Sequence, residues 1–118
     1  MNKIILNDRN GSWIIDMKEI IYCEAQDCYS LFYLANGKKR VVSKTLKEFE
    51  DDLCRGTFVR VHRKYIVNMD HIRHIGKKLE RCIVLSNNER LEVAVRRKKF
   101  FLRLFGRHLR KSEKRTLT

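Results

Sequence analysis

The stretch of sequence that decides the fold reads Thr57-Phe58-Val59-Arg60-Val61-His62-Arg63-Lys64-Tyr65-Ile66-Val67-Asn68. Its apolar residues come in short runs of about strand length, and polar residues separate the runs. The same pattern continues on both sides of the stretch, in a chain that has no proline and five glycines. Short apolar runs that are separated by polar residues are typical of strands. We therefore expect a mainly β protein.

Turn-forming residues lie between several of these runs. Asn36-Gly37 is the strongest hairpin signal in the chain, because both central residues of a type I′ turn need a positive φ angle. Residues Asn7–Gly11 separate two further runs, and Asn87-Asn88 separates Cys82–Leu85 from Leu91–Val95. Strands joined by hairpins at this spacing predict antiparallel sheets.

One short helix is predicted after the Asn36-Gly37 hairpin. Thr45-Leu46-Lys47-Glu48 matches the S/T-x-x-E capping box, in which the first and last side chains bond free backbone amides of a helix start. Leu46, Phe49 and Leu53 then fall at a helical spacing and make one apolar face. This pattern predicts a helix over residues 46–53.

A second helix is predicted from about residue 97 to 109. Gly106 weakens its end, and beyond it the apolar period stops. We expect one domain over residues 1–110 and a basic, disordered tail over residues 111–118. The apolar side of this helix, which we expect to close the core, carries Phe100, Phe101, Leu104, Phe105 and His108/Leu109.

The positive charge of the chain is confined to its second half. Residues 1–59 hold nine basic and nine acidic residues, whereas residues 60–118 hold 18 basic and five acidic ones, which is the whole net charge of +13. Such asymmetry points to a polyanionic partner, either nucleic acid or an anionic membrane surface. Charge alone does not choose between the two.

Several classes of function lack their sequence signals. The chain has no signal peptide and no apolar run long enough to span a membrane, so we expect a cytoplasmic protein. Its four cysteines lack C-x-x-C spacing, and we expect reduced thiols in core positions, no zinc site and no cofactor. Without a glycine-rich phosphate loop or a nucleophile elbow, neither an enzyme nor a small-molecule substrate is expected.

Five blocks of the sequence follow one another in the order of a known family. They are residues 21–25 with Tyr29, residues 45–50, the central stretch over 57–68, residues 72–75 and residues 91–99. The central stretch resembles F-x-R-x-H-R-S-Y-I-V-N, the signature of the LytTR DNA-binding domain family. The resemblance covers about residues 12–105, and five blocks in the right order make it specific.

The resemblance implies both a fold and a partner. It implies an elongated fold of layered antiparallel sheets with two short helices. It also implies sequence-specific binding of double-stranded DNA by a transcription regulator, which reads short direct repeats in successive major grooves through loop and strand-edge residues. Further implied partners are a second copy on tandem sites, and a receiver domain or a membrane regulator outside this chain.

Eight residues are candidate DNA contacts. An arginine can bond guanine O6 and N7 together, and Arg96 falls at a DNA-contacting arginine of the family. Lys64 departs from the family's serine, and Ala94-Val95 departs from its Ser-Arg. The expected base contacts are Arg63, Arg96 and Ser30, and the expected phosphate contacts are His62, Lys64, Arg97, Lys99 and Lys44.

Each of these residues also has a plainer interpretation. The basic ones can be solvated surface charges, His62 can be a packed neutral histidine, and Tyr29 beside Ser30 can belong to the core. Trp13 and Phe58 are expected in the core by default. For the whole chain, the alternatives are a small basic RNA-binding β protein and a membrane-surface or protein-interaction module that uses the basic tail.

Overall fold

The computed structural model describes residues 3–77 and 81–111, which form ten strands and two α-helices. The strands are β1 (Lys3–Asp8), β2 (Gly11–Asp16), β3 (Ile20–Gln26), β4 (Tyr29–Leu34), β5 (Lys39–Val42), β6 (Phe58–His62), β7 (Tyr65–Asn68), β8 (Ile72–Ile75), β9 (Cys82–Leu85) and β10 (Arg90–Glu92). The helices are α1 (Leu46–Leu53) and α2 (Lys98–Lys111), and single 3₁₀ turns cover Met17–Glu19, Met69–His71 and Val95–Arg97.

The strands form three antiparallel sheets. A five-stranded sheet has the order β5-β4-β3-β7-β6, while β1 pairs with β2 and the third sheet has the order β10-β9-β8. The molecule is elongated, with extents of 48 × 29 × 25 Å. The predicted fold class, mainly β with layered antiparallel sheets and two short helices, is confirmed.

The five-stranded sheet is the middle layer, because residues of opposite parity along its strands enter two separate cores. Ile20, Phe32 and Ile66 face one side, where they pack with α1 and the β1–β2 hairpin. Ile21 and Val67 face the other side, where they pack with the three-stranded sheet and with α2. Phe58 is fully buried, as expected.

The predicted turns are present, but of Asn36 and Gly37 only Gly37 has a positive φ angle, so this hairpin turn is not of type I′. Gly11, Gly37 and Asn88 have φ angles of 126°, 85° and 69°, a region that glycine and asparagine tolerate better than other residues. The predicted strand over Leu91–Val95 was too long. The strand covers Arg90–Glu92, and Val95 begins the 3₁₀ turn that leads into α2.

Both helices are present, and α1 has the predicted bounds. Thr45 and Glu48 form the complete capping box. In contrast, α2 ends at Lys111 and not at about residue 109, so Lys111 belongs to the helix and not to a tail. Residues 112–118, predicted to be disordered, lie outside the described part of the chain. Of its predicted apolar side, Phe101 is 1% exposed but Phe100 is 53% exposed.

Two expectations about burial, those for the cysteines and for Trp13, differ from the structure. Cys23 and Cys82 are buried free thiols, but Cys28 is exposed on the β3–β4 turn, so it does not fill a core position. Trp13 is half-buried, and the Arg40 guanidinium lies 3.9 Å from the centre of its ring. Among the described residues, no helix is long and apolar enough to cross a membrane.

Candidate nucleic-acid interface

Three connecting segments meet at one end of the five-stranded sheet. The pairings Gln26↔Tyr29, His62↔Tyr65 and Glu24↔Tyr65 place the β3–β4 turn next to the β6–β7 turn. The pairing Ser30↔Val42 brings the end of β5, and therefore Ser43 and Lys44, to the same end. Five of the eight candidate contacts lie on or beside these segments.

The β6–β7 turn presents Arg63 and Lys64 to solvent. Both side chains are exposed, and the turn between the two strands contains only these residues. The Lys64 backbone is held on two sides, since its carbonyl accepts a 2.8 Å hydrogen bond from the Ala25 amide and its own amide donates to His62 Nδ1 at 3.1 Å. The turn is therefore anchored to β3 while its two cationic side chains remain free.

A bulge in β6 connects this turn to the segment that carries Arg96. The β6–β7 register shifts between Arg60 and His62, and the carbonyl of Val61 turns outward to accept a 2.8 Å bond from the Ala94 amide. Val61 lies two residues before Arg63, and Ala94 lies two residues before Arg96. One backbone hydrogen bond thus brings two segments together that are more than 30 residues apart in the sequence.

The basic run Arg96-Arg97-Lys98-Lys99 covers the start of α2. Arg96 and Lys99 are exposed, while Arg97 is half-buried. No acidic residue lies in the first turn of α2. The positive end of the helix dipole and four cationic side chains therefore coincide, and this is a favourable environment for an anion.

The prediction that Ser30 contacts a base is not supported by the geometry. Its side chain is fully buried, and its hydroxyl donates a 2.6 Å hydrogen bond to the carbonyl of Lys44. This bond ties β4 to the segment after β5, and so it positions Lys44, whose side chain is exposed. Tyr29, a possible core residue, is 47% exposed, whereas the strand beyond it is covered on both faces.

His62 has the packed geometry that its plainer interpretation predicts. Its side chain is only 18% exposed, Nδ1 accepts from the Lys64 amide, and Nε2 lies 3.8 Å from Glu92 Oε1. The ring also contacts Tyr65, at 5.5 Å between centroids. Burial, together with the nearby Glu24 and Glu92 carboxylates, raises the pKa of the Tyr65 phenol, which stays protonated beside the histidine.

Two residues at this end differ from the sequence analysis. Tyr29, weighed there as a core residue, is exposed directly after the β3–β4 turn. The other is Arg60, which donates from Nη1 to Glu50 at 2.7 Å, from Nε to the His62 carbonyl at 3.2 Å, and from Nη2 to the Arg63 carbonyl. The sequence feature that could have identified Arg60 is its position as a charged residue between Val59 and Val61, which are both buried.

The surface built from these segments is strongly cationic. We define the sheet-end surface as residues 27–29, 43–44, 62–64 and 94–99. Exposed acidic residues on or beside it are Asp27 and Glu92, against seven exposed or half-buried Lys and Arg residues. The seven are Lys44, Arg63, Lys64, Arg96, Arg97, Lys98 and Lys99. A surface with this charge attracts a polyanion, and arginines that protrude from it are able to bond base edges in a groove.

Comparison with known proteins agrees with this geometry. The LytTr DNA-binding domain family matches residues 10–106. Two relatives are the CO-responsive transcriptional regulator RcoM of Rhodospirillum rubrum, 33% identical over 78 residues, and the sensory transduction protein LytT of Bacillus subtilis, 32% identical over 74 residues. These matches cover 66% and 63% of this chain, but only 33% and 30% of the two relatives.

A solved structure has the same fold. It is the LytTr DNA-binding domain of a protein described as a methyl-accepting/DNA response regulator from Bacillus cereus. The two structures superpose with a TM-score of 0.77 at 26% identity, over 90% of this chain and 98% of the other. The family consists of DNA-binding domains of transcription regulators and not of enzymes. The chain therefore belongs to the LytTR DNA-binding domain family.

Proposed function

We propose that this domain binds double-stranded DNA sequence-specifically, and that the sheet-end surface is the part that enters the major groove. The observation that carries the proposal is the Ala94–Val61 hydrogen bond, which sets the exposed Arg63 and Arg96 on adjoining segments. Two arginines on neighbouring loops are suited to reading two nearby positions of one site.

Arg63 and Arg96 are the proposed base contacts. Each side chain is exposed, and no ion pair involves either of them within residues 3–77 and 81–111. A guanidinium group that keeps its donors free is able to bond guanine O6 and N7 together. Ser30 is left out of this set because its hydroxyl is buried.

Lys44, Lys64, Arg97 and Lys99 are the proposed phosphate contacts, and His62 contributes by holding the turn. Cations in the first turn of a helix interact unfavourably with the positive end of the helix dipole, and this interaction costs about 0.3–1 kcal/mol for each cation. Phosphates bound there would offset this cost. Phosphate contacts provide affinity and orientation without reading the sequence.

The wider assembly extends beyond this chain, which spans about a third of the length of the curated relatives it matches. By similarity to the family we propose that the domain acts in the cytoplasm on short direct repeats, with a second copy on the tandem site. A receiver domain or a membrane regulator supplies the signal in this proposal. LytT is described as a sensory transduction protein and RcoM as CO-responsive.

The test is selection of bound sequences from a random pool of double-stranded DNA at physiological salt. We expect enrichment of a short motif, present as two spaced direct repeats. Binding without enrichment of any motif would contradict sequence-specific recognition. If structured RNA then displaced duplex DNA from the protein in a competition assay, the RNA-binding alternative would be favoured.

Arg63→Ala and Arg96→Ala test the base contacts on the selected site. Each should cost about 1–3 kcal/mol of binding free energy there and broaden the base preference at one position. Lys99→Ala is the matched comparison, because loss of a phosphate contact weakens binding to selected and unrelated duplexes alike. Equal losses on both duplexes for the arginine variants would exclude a role in base reading.

A further inference from the structure

Arg60 is the most completely bonded charged side chain near the sheet-end surface. It lies in β6, two to three residues before the turn, and its side chain is 15% exposed. All three nitrogens of the guanidinium donate, each to a different residue: Nη1 to Glu50, Nε to the His62 carbonyl and Nη2 to the Arg63 carbonyl. The group therefore has little left to offer to DNA.

The three acceptors belong to two different parts of the fold. Glu50 is a residue of α1, on one face of the five-stranded sheet, whereas the two carbonyls belong to the last residue of β6 and the first residue of the β6–β7 turn. Glu50 is itself held, because α1 is anchored in the core by Leu46, Phe49 and Leu53. Arg60 thus ties the turn to a packed helix.

A two-residue turn with a free arginine needs this kind of support. Base reading requires the guanidinium of Arg63 to be held within about 0.5 Å of its productive hydrogen-bonding position at the base edge, and long side chains achieve this only from a fixed backbone. The carbonyl of Arg63 itself accepts from Arg60, so the bond acts on the peptide plane next to the Arg63 Cα.

We infer that Arg60, braced by Glu50, is a positioning residue that sets the direction in which Arg63 leaves the β6–β7 turn. The inference rests on the proposed function of Arg63. Arg60 acts through Arg63 and does not itself contact DNA. It should therefore contribute to the preference for the right sequence and little to general affinity for DNA.

The test is a double-mutant cycle with Arg60→Lys and Arg63→Ala, measured as Kd on the selected duplex and on an unrelated one. Lysine keeps the charge but cannot donate to three separated acceptors. We expect Arg60→Lys to weaken binding to the selected duplex by about tenfold, an effect of the size seen for coupled residues. Binding to the unrelated duplex and the salt dependence of binding should stay unchanged.

In the Arg63→Ala background, Arg60→Lys should have no further effect on either duplex. Additive losses, equal losses on both duplexes, or no loss at all would each overturn the inference. If Arg63→Ala alone leaves binding to the selected duplex unchanged, the proposed function of Arg63 has failed instead. The two failures are therefore distinguishable.

Two controls separate positioning from general damage to the fold. Arg73→Lys is the matched variant, because Arg73 donates from Nη1 to the Ser86 carbonyl in the β9–β10 hairpin and lies outside the sheet-end surface. It should change neither Kd. Hydrogen exchange supplies the direct readout: in Arg60→Lys the Lys64 amide should exchange faster, while amides in the middle of β3 and β7 keep their protection.

Discussion

At the scale of single residues, burial and existing hydrogen bonds decide which basic side chains are available to a partner. Arg63 and Arg96 are exposed, whereas Arg60 uses every nitrogen of its guanidinium within the protein. His62 is tied to the Lys64 amide and is mostly buried. Residues of the same type, or neighbours in one motif, therefore have different roles.

The cysteines provide a test at this scale. Burial, assisted by the Glu50 carboxylate and opposed by the Arg60 amide and by the charges of Arg60 and Arg97, raises the pKa of Cys54 to about 11. Roughly one thiol in a thousand is then ionised at pH 8, and only the thiolate reacts with iodoacetamide. Burial also raises the pKa of Cys23 well above its ordinary value. The exposed Cys28 should therefore be alkylated first.

Peptide mass spectrometry after timed alkylation measures this order. The labelling rate of Cys54 should rise about tenfold per pH unit between pH 8 and 10, since its thiolate fraction does so below the pKa. Because Cys28 lies on the sheet-end surface, saturating selected duplex should slow its labelling. Labelling of Cys54 as fast as Cys28 at pH 8 would contradict the packing described for β6 and α1.

At the scale of elements, α1 is a short helix whose position depends on its first turn. The carboxylate of Glu48 accepts a 2.8 Å bond from the Thr45 amide, and the Glu48 amide donates to Thr45 Oγ1. These bonds to the Thr45 amide and hydroxyl lower the pKa of Glu48. Its contribution to stability is thus complete above the ordinary glutamate pKa and is lost as the pH falls through the lowered value.

Removal of the cap should be measurable without loss of the fold. Thr45→Ala leaves the helix start without its side-chain acceptor and should lower the free energy of unfolding by about 1 kcal/mol in urea at pH 7. Ser43→Ala, an exposed residue two positions earlier, is the control and should change stability little. Equal losses for the two variants would show that the capping box does not stabilise α1.

At the scale of the whole molecule, two cores share one sheet. The strands β3, β6 and β7 send residues into both cores, so the shared sheet couples the two cores. Among the described residues, α2 is joined to the same assembly through Phe101 and through the 2.6 Å pair of His108 with Asp70. The layers should therefore unfold together.

Two probes on different layers test this cooperativity. Trp13 reports on the β1–β2 side, since its Nε1 donates to Asp8 at 2.8 Å and Arg40 covers its ring. Far-UV circular dichroism reports on all three sheets and both helices. Urea transitions measured by Trp13 fluorescence and by dichroism should coincide, as in two-state unfolding. A separate early fluorescence transition would mean that the hairpin layer unfolds on its own.

Most of the local structure could be predicted from the sequence, because short-range chemistry determines it. Gly37 supplies the positive φ angle of the β4–β5 turn, and the Thr45 and Glu48 pair begins α1 at the predicted residue. The end of α2 was predicted at about residue 109, and the helix continues two residues further to Lys111. Ser30 was expected on the face of β4 away from the core, but it is buried because the five-stranded sheet is covered on both faces.

The sequence by itself determined the family, the antiparallel class, the helix starts and the concentration of charge after residue 60. Only the tertiary structure decided which charges meet and which are free. The Ala94–Val61 bond, the burial of Ser30 and the bonds of Arg60 to Glu50 and the turn all join residues through space. Such contacts depend on strand register and packing of layers, and local sequence preferences do not encode them.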